Sequence, residues 1–365
     1  MNTQRTYDLG RNLKDELQSF SQRIHDELIA FFAKKRKEAQ KTDKTLEEIV
    51  DLLEELMLRG GKRTRPFLCW IGYTMMGGKD QKHILRACTA LDMLHFYILS
   101  LDDMVDRDTV RHGGPTLEEE YKLVLKNLPE DQRPHYARSF SEIAGALLFS
   151  YAHECMRTSG LPAEYILESL GVMNKEMFQD TATGWKIHMM QNWESLETAT
   201  EDRFVKGLNL VTAQYTFVGP LLIGTILAGK RKEYEKPLRE YGMEVGTAFQ
   251  IHDDVLGLFG NPEKTGKTVG NDVREGKKTL LIQRAYKTAT EEDKAFLKNV
   301  LGSNLTEQDL KKVQDIVQKT GSLEYSKTRA AECVQKGVTA LSSLPESHQK
   351  SLLIELAQFV ITREK

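Results

Sequence analysis

LHFYILSLDDMVDRDTVRHGGPT, residues 94–116, decides how the rest of the chain is read. Leu91, Leu94, Ile98, Leu101 and Val105 recur at three- and four-residue intervals, the period of an α-helix and not of a strand. On that helix Asp102 and Asp106 stand one turn apart on one face, their carboxylates roughly 6 Å from each other. Like charges at that separation repel, and the residues on the aspartate side, Leu91, His95 and Ile98, are not those of a solvated surface. A hard divalent cation that takes oxygens from both carboxylates relieves the repulsion and the cost of burial together. The pattern recurs in TAFQIHDDVLGLFG, residues 247–260, where Asp253 and Asp254 interrupt a second apolar helical run. One such cluster is commonly a solvated helix face. Two with similar apolar flanks point to Mg²⁺ held between two acidic helices.

Working outward, helical periodicity dominates and alternating strand patterns are nearly absent, so the expected class is all-α. An amphipathic helix over 10–40 carries Leu13, Leu17, Phe20, Ile24, Leu28 and Phe31 and ends in the basic run Lys34, Lys35, Arg36, Lys37, expected to be a solvated helix end. Further helices are expected at 44–59, 66–76, 81–109, 116–127, 137–158, 163–190, 201–228, 231–257, 279–288, 292–302, 307–319, 321–341 and 346–362. Turn signals such as Gly77-Gly78 and Leu128-Pro129 separate them. No composition break divides the chain, which is expected to form one domain over 1–365 with 1–44 as an N-terminal helical extension. One long stretch, 260–278, is rich in Gly, Lys and Asp and has no helical period. Loops of that length in a compact fold are usually functional, and this one directly follows the second acidic helix.

Composition narrows the partners. With 51 basic and 53 acidic residues there is no bulk charge to attract nucleic acid or anionic lipid. Four cysteines, Cys69, Cys88, Cys155 and Cys333, are scattered singly, as reduced core thiols of a cytoplasmic protein would be. The N-terminus lacks the apolar core of a signal peptide. The longest apolar run, 216–229, has 14 residues including Pro220. That length suits a buried core helix, so no membrane span is expected.

Basic chemistry is local. Gly60-Gly61-Lys62-Arg63-Thr64-Arg65-Pro66 sets three cations beside a glycine pair at a helix start, a combination suited to phosphate. His95 lies on the acidic helix and Arg111 just beyond it; Lys267 and Lys277 belong to the late loop. Each alone has an ordinary reading as a solvated cation or a satisfied core histidine. Together they define two anion sites, one acidic and reached through metal, one basic. An apolar cavity between them would take a diphosphate with a greasy tail.

The motifs GGKRTRP, DDMVDRDTVRHGGPT, FQIHDDVLGLFG, TGKTVGNDVREGKKT and GSLEYSKTRA occur in this order, and the chain resembles the trans-isoprenyl diphosphate synthases from about residue 45 to 341. The resemblance implies an all-α helical bundle around a deep central cavity, a homodimer, and two or three Mg²⁺ ions held by Asp102, Asp106 and Asp253, with Asp103 and Asp254 completing the catalytic acids. It assigns Lys62, Arg65 and His95 to isopentenyl diphosphate and Arg111, Thr212, Gln250, Lys267 and Lys277 to the allylic diphosphate. Tyr97 and Ile98, just upstream of the first acidic motif, would set product length, giving geranylgeranyl or else farnesyl diphosphate. Four positions depart from the family pattern: His112 replaces a second arginine, Val211 the lysine of a Lys-Thr pair, Gly257 a third aspartate found in many members, and Ala146 a common acidic residue. These departures leave two other readings open: a low-activity or non-catalytic subunit of a heteromeric synthase, and a class I terpene cyclase, against which the basic stretch argues.

Overall fold

The computed structural model describes residues 11–261 and 269–364. The chain divides into two compact units, residues 1–170 with 223–230, and residues 171–222 with 231–365.

In the first unit the helix Gln81–Asp106 lies against Arg133–Arg157, Arg11–Ala39 and Thr64–Met75, and Lys44–Leu58 packs on Arg11–Ala39. Leu91, Leu94 and Ile98 are buried, so the apolar stripe read from the sequence is the face that makes this core. Asp80 caps the helix, its carboxylate accepting from the His83 amide at 3.1 Å. One glycine sets a helix crossing: a Cβ on Gly224 would lie 2.2 Å from the Cys69 carbonyl oxygen. In the basic run 34–37, Lys34 and Lys37 are exposed as expected, and Lys35 and Arg36 are not. Lys35 is 5% exposed and donates to Glu154 at 2.6 Å and Glu38 at 2.8 Å, and Arg36 binds Asp51 at 2.6 Å and also Glu54. Acidic partners distant in sequence bring these two side chains into the fold.

In the second unit the helix Arg231–Phe259 packs on Ser322–Ala340, on His348–Thr362 and on the stretch Asn209–Val218. The periodicity predicts unbroken α-helices over 163–190 and 201–228, yet Met173–Gln179 and Asn209–Val218 are π-helical. The widened stretches touch each other, Gln214 donating to Glu176 at 3.1 Å. Each π turn accommodates an extra residue without breaking the backbone ladder, so a sequence period of 3.6 gives no warning of it.

All four cysteines are free and buried. Two stretches, Gln81–Asp106 and Glu201–Leu227, are long and apolar enough to cross a membrane, but 61% and 83% of their most apolar windows are buried within the fold; both are core helices.

Candidate active site

The glycine pair and a left-handed residue shape the basic loop. Gly60 and Gly61 have φ of 134° and 124°, Arg63 a φ of 51°. This backbone turns Arg63 inward, where it pairs with buried Asp92 at 2.5 Å and donates to the Met57 carbonyl at 2.6 Å. Arg63 therefore braces the loop. Of the two cations predicted to bind substrate, Lys62 is exposed, and Arg65 is partly buried with its Nη1 3.1 Å from His95 Nε2. Arginine can only donate, so Nε2 accepts and the ring proton sits on Nδ1. Burial, then the charges of Arg65, His112, Arg63 and Arg111, hold the His95 imidazole well below its ordinary pKa of 6.5. Arg65 beside a neutral histidine, with Arg63 and Arg111 nearby but paired to Asp92 and to Asp103 and Asp108, is the local cation an anion would meet.

That pKa has a consequence for stability. Below pH 6.5 the unfolded chain protonates His95 while the folded chain does not, so stability falls as the pH falls. Relative to His95→Asn, the wild type should lose up to about 1.4 kcal/mol per pH unit. Urea titrations of both proteins at pH 7.5 and 5.5 check this; parallel pH dependence would show that His95 titrates normally.

The acidic helix ends at Asp106, three residues before the sequence expectation, because Arg107 adopts a left-handed φ of 55°. The chain then doubles back in a two-stranded hairpin, Val110–Arg111 against Gly114–Pro115, turning through His112 and Gly113 at φ of 50° and 77°. The hairpin brings Arg111 back to the helix, where its Nε donates to Asp103 Oδ1 at 2.8 Å and its Nη2 to Asp108 at 2.6 Å. Asp103 is buried, and burial lifts its carboxyl to about 6 against the opposing pull of Arg111. Asp102 and Asp106 stay partly exposed on the same helix. His112 sits beside the glycine loop, its Cε1 3.5 Å from where a Gly61 Cβ would be. Tyr97 lies tilted against Phe149 with ring centroids 5.3 Å apart, whereas Ile98 is 3% exposed and belongs to the core.

In the second unit, Thr212 donates to Gln250 Oε1 at 2.8 Å and Gln250 donates to Asp254 Oδ1 at 3.0 Å, so three predicted site residues form one relay. Asp254 is buried and its Oδ2 has no hydrogen-bond partner among the described residues. Burial, then the nearby charge of Asp272, drives its carboxyl well above the ordinary range. Asp253 is partly exposed and pairs with Arg363, whose side chain lies 4.2 Å over the Phe249 ring. Lys277 reaches Asp272 at 3.3 Å, while adjacent Lys278 is buried on the carbonyls of Gln191 and Asn192 at 2.7 and 3.0 Å. Lys267 lies outside the described residues. Val211 packs against Gly184, where a Cβ would be 2.7 Å from Val211 Cγ1, and Ala146 is exposed. A cleft of about 410 Å³ beside Glu201, Lys206 and Arg329 is lined by none of the predicted residues. Sequence reasoning missed Arg363 and Asp272. Arg363 has no local motif to announce it. Asp272 lies within TGKTVGNDVREGKKT, where one of two acids among lysines and glycines reads as an ordinary loop residue.

Among the described residues no three acidic, histidine or cysteine groups already converge on one point. The acids come in pairs, and Asp254 carries an orphaned buried oxygen. This donor set fits Mg²⁺, which keeps several waters and is normally held by one or two carboxylates together with substrate phosphates.

An all-α protein carrying these acidic and basic clusters defines a class that comparison with known proteins identifies. The chain belongs to the polyprenyl synthetase family, the trans-isoprenyl diphosphate synthases, prenyltransferases whose profile matches residues 46–320. It is 32% identical over 317 residues to the geranylfarnesyl diphosphate synthase of Aeropyrum pernix, covering 85% of this chain and 92% of that one. It is 30% identical over 327 residues to the geranylgeranyl diphosphate synthase of Saccharolobus solfataricus, covering 88% and 91%. Among solved structures, the geranylgeranyl pyrophosphate synthase of Corynebacterium glutamicum, complexed with isoprenyl diphosphate and magnesium, superposes with a TM-score of 0.87 at 26% identity, covering 95% and 99%. The fold is the all-α isoprenoid synthase fold, and the family depends on divalent metal.

Proposed function

We propose that the chain condenses isopentenyl diphosphate with an allylic diphosphate, as a short-chain trans-prenyltransferase, to give geranylgeranyl diphosphate or, next, farnesyl diphosphate. One observation carries this reading: the helix Gln81–Asp106 bears both anion-binding chemistries, His95 with Arg65 upstream and Asp102 with Asp106 downstream. His95 and Asp102 are seven residues apart, two turns on the same face, a separation of about 10.5 Å along the axis. A protein that ionises one diphosphate has no use for a second, directly cationic site so close, which favours a synthase over a cyclase.

Asp102 and Asp106 on one helix, and Asp253 on another, are the carboxylates that would bind Mg²⁺, two or three ions in all. The bound metal supplies charge neutralisation for a departing pyrophosphate. Arg65, Lys62 and His95 hold the isopentenyl diphosphate. Arg111 and Lys277, with Lys267, bind the allylic diphosphate, and Thr212 and Gln250 line the path of the allylic cation. Asp103 fixes Arg111 through their buried pair. Excluding water protects the cation from quenching. The intact aspartates favour an active synthase over a non-catalytic subunit, and we place the enzyme in the cytoplasm as a homodimer.

Incubating the protein with Mg²⁺, labelled isopentenyl diphosphate and, separately, dimethylallyl, geranyl and farnesyl diphosphates tests the reading. Elongated trans products are expected. Cyclic hydrocarbons released without incorporation of label would establish the cyclase instead.

A further inference from the structure

Arg59 stands immediately before the glycine pair, where its place in the sequence would count it as one more cation of the basic loop. Its guanidinium is committed elsewhere. Nη1 donates to the Pro115 carbonyl at 2.6 Å, and Nε and Nη2 hold the two oxygens of Glu55 at 2.7 and 2.9 Å. Nη2 also reaches Glu120 at 2.5 Å. Glu55 lies one turn back on the helix Lys44–Leu58 that Arg59 caps, Pro115 in the hairpin, and Glu120 in the helix Leu117–Val124 beyond it. One side chain therefore ties three elements together. Only a planar fork of donors can serve a bidentate carboxylate and a carbonyl at once.

Gly114 completes the clasp. A Cβ built on it would stand 2.6 Å from Arg59 Nη1 and 2.8 Å from Arg59 Cζ, so the strand lies against the guanidinium only because residue 114 has no side chain. The left-handed turn belongs to His112 and Gly113, and Gly114 has no positive φ, so its bareness serves this contact. Across the hairpin Gly114 pairs with Arg111, and the Thr116 amide closes the base on the Thr109 carbonyl at 3.1 Å. The strand that Arg59 grips is thus the direct partner of the one that delivers Arg111 to Asp103 and Asp108. On its other side Arg59 leads straight into Gly60-Gly61-Lys62.

We propose that Arg59 is a positioning residue that holds the hairpin carrying Arg111 at a fixed distance from the basic loop carrying Lys62 and Arg65. The proposal rests on the diphosphate roles given to those three residues above. Arg59 acts through them and touches neither substrate. Condensation joins two bound molecules, so its rate follows their relative placement, and a displacement of about 1 Å can cost on the order of 10²-fold.

Steady-state kinetics at saturating Mg²⁺, varying each diphosphate in turn, test this on Arg59→Ala, Arg59→Lys and Gly114→Ala, with melting curves to confirm folding. Arg59→Ala should raise KM for the allylic diphosphate and lower its kcat/KM by about 10–100-fold. Arg59→Lys keeps the charge without the fork and should fall between wild type and Arg59→Ala. Gly114→Ala leaves every polar partner in place, yet should raise the same KM by wedging the strand off the guanidinium. In the double variant Arg59→Ala with Gly114→Ala the clash has lost its partner, so the effect should not exceed that of Arg59→Ala alone. Unchanged KM values in folded Arg59→Ala, with only kcat reduced, is the behaviour of a plain structural brace and would overturn the proposal, as would additive effects in the double variant. Arg111→Met separates the two levels. If it raises the allylic KM while Arg59→Ala does not, only the role of Arg59 fails; if it leaves that KM unchanged, the diphosphate role of Arg111 fails and the proposal with it.

Discussion

Alanine at Asp102 is expected to abolish condensation, lowering kcat by on the order of 10³-fold or more, the scale at which preorganised charge acts on a departing anion. The carboxylate is partly exposed on the flank of a helix whose buried face is made by Leu91, Leu94 and Ile98, so its removal leaves the core untouched. It also removes a negative charge one turn from Asp106, and the melting temperature should hold or rise slightly. Buried Asp103 behaves differently. Substituting it takes the buried partner from Arg111, leaving only the more exposed Asp108, and is expected to destabilise as well as inactivate. Product formation over a Mg²⁺ titration, with melting curves for both variants, checks the contrast. Wild-type turnover in Asp102→Ala would remove this residue from the metal set.

Truncating Tyr97 should lengthen the product. Its ring lies half-buried against Phe149 and above Gly145, where a Cβ would come within 3.0 Å of the ring. Five residues before Asp102, it stands about 7.5 Å up the helix from the acid, close to where the growing tail would end. Tyr97→Ala is expected to shift the main product by at least one isoprene unit. The cost should stay below the roughly 3–5 kcal/mol of deleting a fully buried aromatic ring. Ile98 points into the core, and shortening it should cost stability with less effect on length. Chromatography of products from wild type and both variants decides between them. An unchanged distribution in Tyr97→Ala would take it off the cavity floor.

Much of the fold is legible in the order of the residues. The helices over 11–39, 44–58 and 307–319 fall within one residue of their sequence expectation, because each is bounded by local signals: a glycine pair, a cap, or the end of an apolar stripe. The two acidic motifs are equally plain, since carboxylates breaking an apolar helix face are conspicuous in one dimension. The basic loop is only half legible. Lys62, Arg63 and Arg65 look alike as letters, yet Arg63 goes to Asp92, 29 positions away, and Arg65 to His95. Nothing local announces the hairpin that returns Arg111 to Asp103, the π-helical stretches or the burial of Lys35.

The sequence by itself determined the helical class, the places of the acids and the family, because periodicity, capping and motif spacing are properties of neighbouring residues. Only the tertiary structure decided which of several like charges braces the fold and which faces a site, and that Arg59 lies against Gly114 in the hairpin. Those outcomes depend on burial and on partners far apart along the chain, and neither has a signature in a short window of residues.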